Sequence, residues 1–526
     1  MSERIERGLA RRRWRSGVSD SGVRAESGVG ERPPVATGGL SAVAAASTAV
    51  LAFAASRYDY FGDELYFLAA GRHPSFGYAD QGPVLPMLAR LMDALAPDSY
   101  FALRLPAVAL TVLAVVLTGL VARELGGGRT AQMLAATAYA TSPFLLLQGK
   151  LLTTNAVDTV MWVVITWCVV RWVRTRRDGL LLAAALVTAV DMQVKWLIPF
   201  FWLAVAASAL VFGPRDLVRR PLLWVGGALV VLATLPTLIW QARHDWPQLR
   251  MGGVISGEQD ILGGRLMFVP LAVLTAGTLG AVVLVYGVWA LLRNPSLREY
   301  RFLGVAFLLV TLVFLIVGGR VYYMAGMYGV VLAAGAVGLV ELATESRPFV
   351  RRFLTAGGTV LTVGSVVFVL WATPWQSPED IAPPIDDTEA ALNIDVYGQF
   401  GWPELVDGVT AAYAKLTPAE REDVVVVTDT YWQASALDQF ARHELPAIYS
   451  PSRGYGYFGT PPDDATAVLA VGVDEDFLRW NFERVEALTK VDSRLGFPGS
   501  TQNVTVWVAT GLRHPWPETW PNLMHL

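Results

Sequence analysis

The chain has 526 residues, 53% of them hydrophobic and 17% charged, with a mean hydropathy of +0.42, a balance outside the range of soluble globular domains. A formal net charge of -3, with basic residues in short clusters between apolar runs, excludes a continuous nucleic-acid-binding face. The single cysteine, Cys168, excludes an intrachain disulfide and a cysteine-built metal site, and the five histidines (His73, His244, His443, His514, His525) lack metal-ligand spacing.

In chain order, residues 1–39 are rich in Arg, Ser and Gly without apolar periodicity, which predicts a disordered cytoplasmic tail followed by a retained signal anchor. Apolar stretches near the length of a hydrocarbon core then recur. They predict a polytopic α-helical membrane protein with eleven spans: Leu40–Ser56, Leu105–Val121, Thr130–Leu147, Ala156–Val173, Leu180–Val194, Trp196–Phe212, Pro221–Trp240, Leu266–Leu292, Phe302–Val317, Tyr322–Leu342 and Phe353–Ala372. Every second connection is basic (ARELGGGR, RWVRTRR, GPRDLVRR, LRNPSLREYR, ESRPFVRR), which sets those loops and the N-terminus in the cytoplasm. An odd number of spans places the C-terminal segment outside.

From Thr373 the chain turns to Pro-rich turns, acids and short strand-like runs. DVVVVT (423–428), ATAVLAV (465–471) and the run 504–511 read as strands, and Tyr431 to His443 reads as an amphipathic helix. The expected organisation is a tail over 1–39, a transmembrane domain over 40–372 with a first outer loop at 57–100, and an extracytoplasmic α/β domain over 373–526.

The first loop, RYDYFGDELYFLAAGRHPSFGYADQGPVLPMLARL, holds adjacent acids, Asp63 and Glu64, in an aromatic setting. Ionisable groups at the outer span ends gather on the same side: Arg104, Lys150, Asp158, Asp191, Lys195, Arg243, His244 and Arg320. Such groups are costly beside a bilayer and default to functional hypotheses. Any one of them also has a structural reading, a side chain snorkelling to the headgroups. Transfer of a sugar from a lipid phosphate needs a carboxylate to deprotonate the acceptor and cations to hold the departing phosphate. Asp63 and Glu64 are the candidate acids. Arg104, Lys195 and Arg320 are the candidate clamp, and Tyr58, Tyr60, Tyr66 and His244 are candidate acceptor or sugar contacts.

The run GDELYFLAAGRHPSFGYADQGPVLPMLARL resembles the first outer loop of bacterial family 39 glycosyltransferases of the GT-C group, which includes dolichyl-phosphate-mannose protein mannosyltransferases and the lipid A aminoarabinose transferase. The Arg104-Leu-Pro step, TTNAVD, the Lys195 site, LPTLIWQARHDWP and RVYYMAGMYGVVLAAG agree with it, as does the segment Tyr431 to Gly459. The resemblance implies an inverting transfer of a hexosyl or pentosyl group from a polyprenyl-phosphate donor to a protein, lipid or cell-wall acceptor on the outer face of the plasma membrane. Asp63 matches the catalytic acid of that family's DE motif, and Asp158 matches a second acid near the acceptor. Gln81-Gly82-Pro83 stands where many relatives carry Lys-Pro-Pro, so an amide replaces a phosphate-binding lysine. No metal is expected, although Asp63, Glu64 and Asp158 together have the chemistry of a divalent-cation site.

Two other classes fit the membrane composition: a transporter or flippase of a lipid-linked sugar, and an inactive relative that binds one. Repeated halves and paired broken helices, common in transporters, are not evident in the sequence.

Overall fold

The computed structural model describes residues 32–261 and 264–526, so the expected tail lies outside the described residues up to residue 31. Helix α1 (Thr37–Ala55) leads into the first loop, which is itself largely helical, with α2 (Gly62–Arg72) and α3 (Val84–Leu95) on either side of a turn-rich stretch. There follow α4 (Tyr100–Glu124), α5 (Arg129–Ala140), α6 (Pro143–Leu147), α7 (Thr154–Thr175), α8 (Gly179–Asp191), α9 (Ile198–Phe212) and α10 (Pro221–Arg243). The helical part closes with α11 (Pro247–Ile261), α12 (Gly264–Thr275), α13 (Gly277–Arg293), α14 (Arg301–Val317), α15 (Tyr328–Glu345) and α16 (Pro348–Ala372).

Among the described residues seven helices are long and apolar enough to cross a membrane, and the bent pair α12 and α13 would make an eighth. By length and composition the described helices do not confirm eleven uniform spans. The stretch 130–147 breaks at Ser142-Pro143, where proline removes a backbone donor and disfavours helix at the residue before it. Ser142 instead caps α6, accepting from the Leu145 amide at 3.2 Å. The stretch 266–292 bends by 108° at Ala276-Gly277. The two breaks meet: Ser142 Oγ donates to the Thr275 carbonyl at 2.7 Å, and a Cβ at Gly277 would stand 2.9 Å from Pro143 Cδ. Helices α8 and α9, with 13 and 15 residues, are shorter than a full span.

After α16 come α17 (Asp387–Leu392), α18 (Ile394–Tyr397), α19 (Trp402–Lys415) and α20 (Pro418–Glu422), and then a five-stranded sheet. Its strands are β1 (Val424–Thr428), β2 (Ile448–Tyr449), β3 (Ala467–Val471), β4 (Phe482–Val491) and β5 (Val504–Leu512), ordered β2-β1-β3-β5-β4. The β1 pairings with β2 and β3 are parallel, and β5 runs antiparallel to β3 and β4. Three helices complete the segment: α21 (Tyr431–Phe440), α22 (Glu475–Asn481) and α23 (Trp516–Leu523).

Strand periodicity divides this sheet into two apolar layers. Val424, Val426, Ala467, Leu469 and Val471 join a core with α19, α21 and the first-loop residues Phe61, Leu65 and Phe67. Val425, Val427, Val468 and Ala470 face a separate core with Phe482, Trp516 and Trp520. The first layer fuses the first loop to the C-terminal sheet domain, and Pro33–Leu526 form one compact unit. Arg72 fixes the seam, its Nη2 donating to Asp438 Oδ2 at 2.7 Å and its Nη1 to Gln439 Oε1 at 2.8 Å.

Candidate active site

Asp63 sits in the first turn of α2, half-buried at this seam. Its Oδ1 accepts from the Tyr431 hydroxyl at 2.7 Å and from Trp432 Nε1 at 2.9 Å. Thr430 and Gln433 form a capping box that starts α21 and presents both rings on its first turn. Burial, with the Asp63 charge beside it, pushes the Tyr431 phenol well above its ordinary range, so it stays a donor. Arg453 Nη1 donates to the same phenol oxygen at 3.3 Å, with its guanidinium 5.1 Å from the ring centroid.

Two glycines make the approach possible. A Cβ at Gly62 would lie 2.2 Å from the Trp432 ring, and one at Gly454 would lie 1.8 Å from the Tyr66 hydroxyl. Tyr66 is buried, packs edge-on against Tyr431 at 5.1 Å between centroids and donates to Asp80 Oδ1 at 3.0 Å. Burial pushes the Asp80 carboxyl up to about 6, against the pull of Arg453 and the Tyr66 hydrogen bond.

Glu64, adjacent to Asp63, is placed differently. It is fully buried, and Arg104 Nε and Nη2 grip its two oxygens at 2.9 and 2.8 Å. The Leu152 and Phe61 amides donate to the same oxygens, each at 2.9 Å. The remaining Arg104 donors go to the carbonyls of Ala55, Arg57 and Asp59 and to Gln399 Oε1. Both side chains, expected as acid and phosphate clamp, are thus committed to a closed, buried network. Asp63, Glu64 and Asp158 do not converge either. Among the described residues no group of three or more His, Cys, Asp or Glu is arranged to hold a metal ion.

A second cluster forms around Lys195, between α8 and α9. Its Nζ donates to Asn155 Oδ1 at 2.7 Å and stands 4.4 Å from the Tyr323 ring centroid, with Asp158, Asp191 and Arg320 as its charged neighbours. Asp158 is buried and accepts from Trp162 Nε1 at 3.2 Å. The loop between α2 and α3 joins the clusters. Asp80 bonds to Tyr66 on the Asp63 side, while Gly82 abuts the Gln193 carbonyl, and the Val84 amide donates to that carbonyl at 3.2 Å. Gln81 lies between these anchors, 1% exposed, and neither Nε2 nor Oε1 has a hydrogen-bond partner among the described residues.

The other expected contacts lie apart from Asp63. Tyr58 packs on Phe400 at 4.9 Å, and Tyr60 is buried between Tyr100 and Phe440. Both fasten the loop to neighbouring segments. His244 stacks on Trp240 at 4.1 Å with Tyr457 edge-on at 5.6 Å, making an aromatic wall at the end of α10. Sequence reasoning overlooked Asp80, Arg453 and the donor roles of Tyr431 and Trp432. Asp80 was within the quoted run, and the T-x-x-Q capping box was legible, but no local signal joins residue 63 to residue 431.

The fold has counterparts among solved structures. ArnT from Cupriavidus metallidurans in the apo state superposes with a TM-score of 0.57 at 15% identity, covering 93% of this chain and 100% of that one. The same protein bound to undecaprenyl phosphate gives 0.56 at 14% identity, over 90% and 98%. The chain has the GT-C fold. The sequence pattern of the dolichyl-phosphate-mannose-protein mannosyltransferase family matches residues 80–240, the part of this GT-C chain that runs from Asp80 through the Lys195 cluster to Trp240. Among curated proteins none matches the sequence.

Proposed function

We propose that the protein is an inverting membrane glycosyltransferase that moves a sugar from a polyprenyl-phosphate carrier to an acceptor outside the cytoplasm, in the plasma membrane of a bacterium. The observation that carries this reading is the placement of Asp63: a half-buried carboxylate at the seam, oriented through Oδ1 by two neutral donors. A carboxylate so held can take the proton of an acceptor hydroxyl as the glycosidic carbon transfers. The ligand named for one ArnT structure, undecaprenyl phosphate, supports a lipid phosphate as the carrier.

In this mechanism Lys195 and Arg320 hold the departing phosphate, with the buried Gln81 amide as a neutral donor toward it. A phosphate leaves without protonation, so one carboxylate base suffices and no metal is invoked. Glu64 and Arg104 act as positioning residues, fixing the first turn of α2 so that Asp63 projects into the seam. Asp158 acts through Lys195 rather than on the acceptor. The His244 and Tyr457 wall takes the sugar or acceptor.

The test is transfer of radiolabelled sugar from a panel of polyprenyl-phosphate donors into membrane acceptors, with native protein and Asp63→Asn. Incorporation by the native protein that is lost in the variant, with donor binding kept, supports the reading. Equal behaviour of the two proteins removes Asp63 as the base.

A further inference from the structure

The far face of the sheet carries a cavity of about 250 Å³ that takes no part in the site above. It runs along that face from Val468, Phe482 and Trp516, toward the amino end of β3, to Asp429, Val473 and Asp474, past the carboxyl ends of the parallel strands β1 and β3. The chain leaves β1 toward β2 on one side and later returns to β3 on the other. One end of the cavity therefore lies at the topological switch point of the sheet, a place where open α/β sheets take ligands. Its floor and walls are apolar, with Phe477, Phe482 and Trp516, whereas Asp429, Asp474 and His525 gather at the mouth.

We propose that this cavity is a second ligand site that takes one saccharide unit, on the opposite face of the sheet from Asp63. A sugar matches both halves of the lining. Its C–H face packs on aromatic and aliphatic side chains, and its hydroxyls donate to carboxylates and an imidazole at the rim. Asp474 commits Oδ1 to the Phe477 amide at 2.9 Å as the cap of α22, which holds that carboxylate at the mouth. The site borders the catalytic seam along two strands of chain. Asp429 directly precedes Thr430, Tyr431 and Trp432, and the Pro451 carbonyl accepts from the His525 amide at 3.2 Å while the His525 carbonyl accepts from the Arg453 amide at 2.7 Å. The inference stands on the cavity and its lining and does not depend on the transferase reading.

The test is saturation-transfer NMR on the full chain in detergent, with glucose, mannose, arabinose and glucosamine as probes and tetramethylammonium as a non-sugar cation. Val473→Phe fills the cavity, and Asp429→Asn keeps its shape while removing a charge. At least one sugar is expected to bind saturably, with the signal abolished by Val473→Phe and weakened about tenfold by Asp429→Asn, the loss of roughly one hydrogen bond to a charged group. A sugar signal that survives both variants, or that is lost only in Asp63→Asn, assigns binding elsewhere and overturns the proposal. So does an absence of saturable sugar binding, or binding of tetramethylammonium alone.

Discussion

The hydroxyl of Tyr431 donates to the carboxylate of Asp63 at 2.7 Å across 368 residues of sequence. Together with Trp432 it ties the first loop to the sheet domain through the residue proposed as the base. Replacing either ring by Phe removes one hydrogen bond to a charged group, about 1.5 kcal/mol or more. Each variant is expected to lower kcat roughly tenfold with the KM for the donor little changed. Steady-state kinetics of the two single variants and the double variant check this. Because both donors share Oδ1, the double variant should lose less than the product of the single losses.

Asp63 and Glu64 are neighbours that should fail in different ways. Asp63→Asn keeps an acceptor at Oδ1 and is expected to lower transfer by about 10²–10⁴ with a smaller fall in melting temperature than Glu64→Gln. Glu64→Gln leaves the buried Arg104 guanidinium without its counter-charge, and loss of one partner from a buried pair costs about 3–5 kcal/mol. Thermal unfolding of the two variants side by side separates a base from a positioning residue.

The pair could not be told apart in the sequence. GDELYF announces an acid-bearing loop start, and that much was legible along with the membrane character and the sheet segment. Which acid faces outward is fixed by Arg104, 40 residues on, and by a capping geometry that turns Glu64 back onto the Phe61 amide. The count of eleven spans is not confirmed for a related reason. Hydropathy windows average over Ser142-Pro143 and Gly277, where single residues redirect the backbone.

Gly454→Ala is expected to undock the sheet domain from the first loop, because its Cβ meets the Tyr66 hydroxyl at 1.8 Å. Faster amide hydrogen exchange in α21, with the helices of the membrane part unchanged, would report it. Adding Tyr66→Phe removes the closest atom and should recover part of the protection. Recovery identifies the contact as steric rather than a requirement for glycine flexibility.

Asp80 gives the protein a pH signature. Its folded pKa of about 6 lies above the ordinary 3.8, so the folded state binds this proton more tightly than the unfolded state. Its stabilising contribution is full below the unfolded pKa and is lost as pH rises to the folded one. Relative to Asp80→Asn, the native protein should therefore lose apparent melting temperature between about pH 4 and pH 6 and track the variant above that range. A gap between the two that stays constant with pH would contradict the assignment.

Gln81 should trade stability against binding. An unsatisfied buried amide costs about 1–3 kcal/mol, and its partners are absent among the described residues. Gln81→Leu is expected to raise the melting temperature of the donor-free protein and to raise the KM for the lipid-phosphate donor several-fold. Differential scanning calorimetry and donor titration read the two effects independently.

The contact between Gly62 and Trp432 also bears on the order in which the protein is made. Asp63 leaves the ribosome early and enters the membrane with the first helices, while the rings that orient it belong to a segment synthesised only after the last apolar helix, α16. A nascent chain therefore carries the proposed base through most of its own assembly without the side chains that hold it. The candidate site is therefore assembled only once the sheet domain has folded onto the first loop.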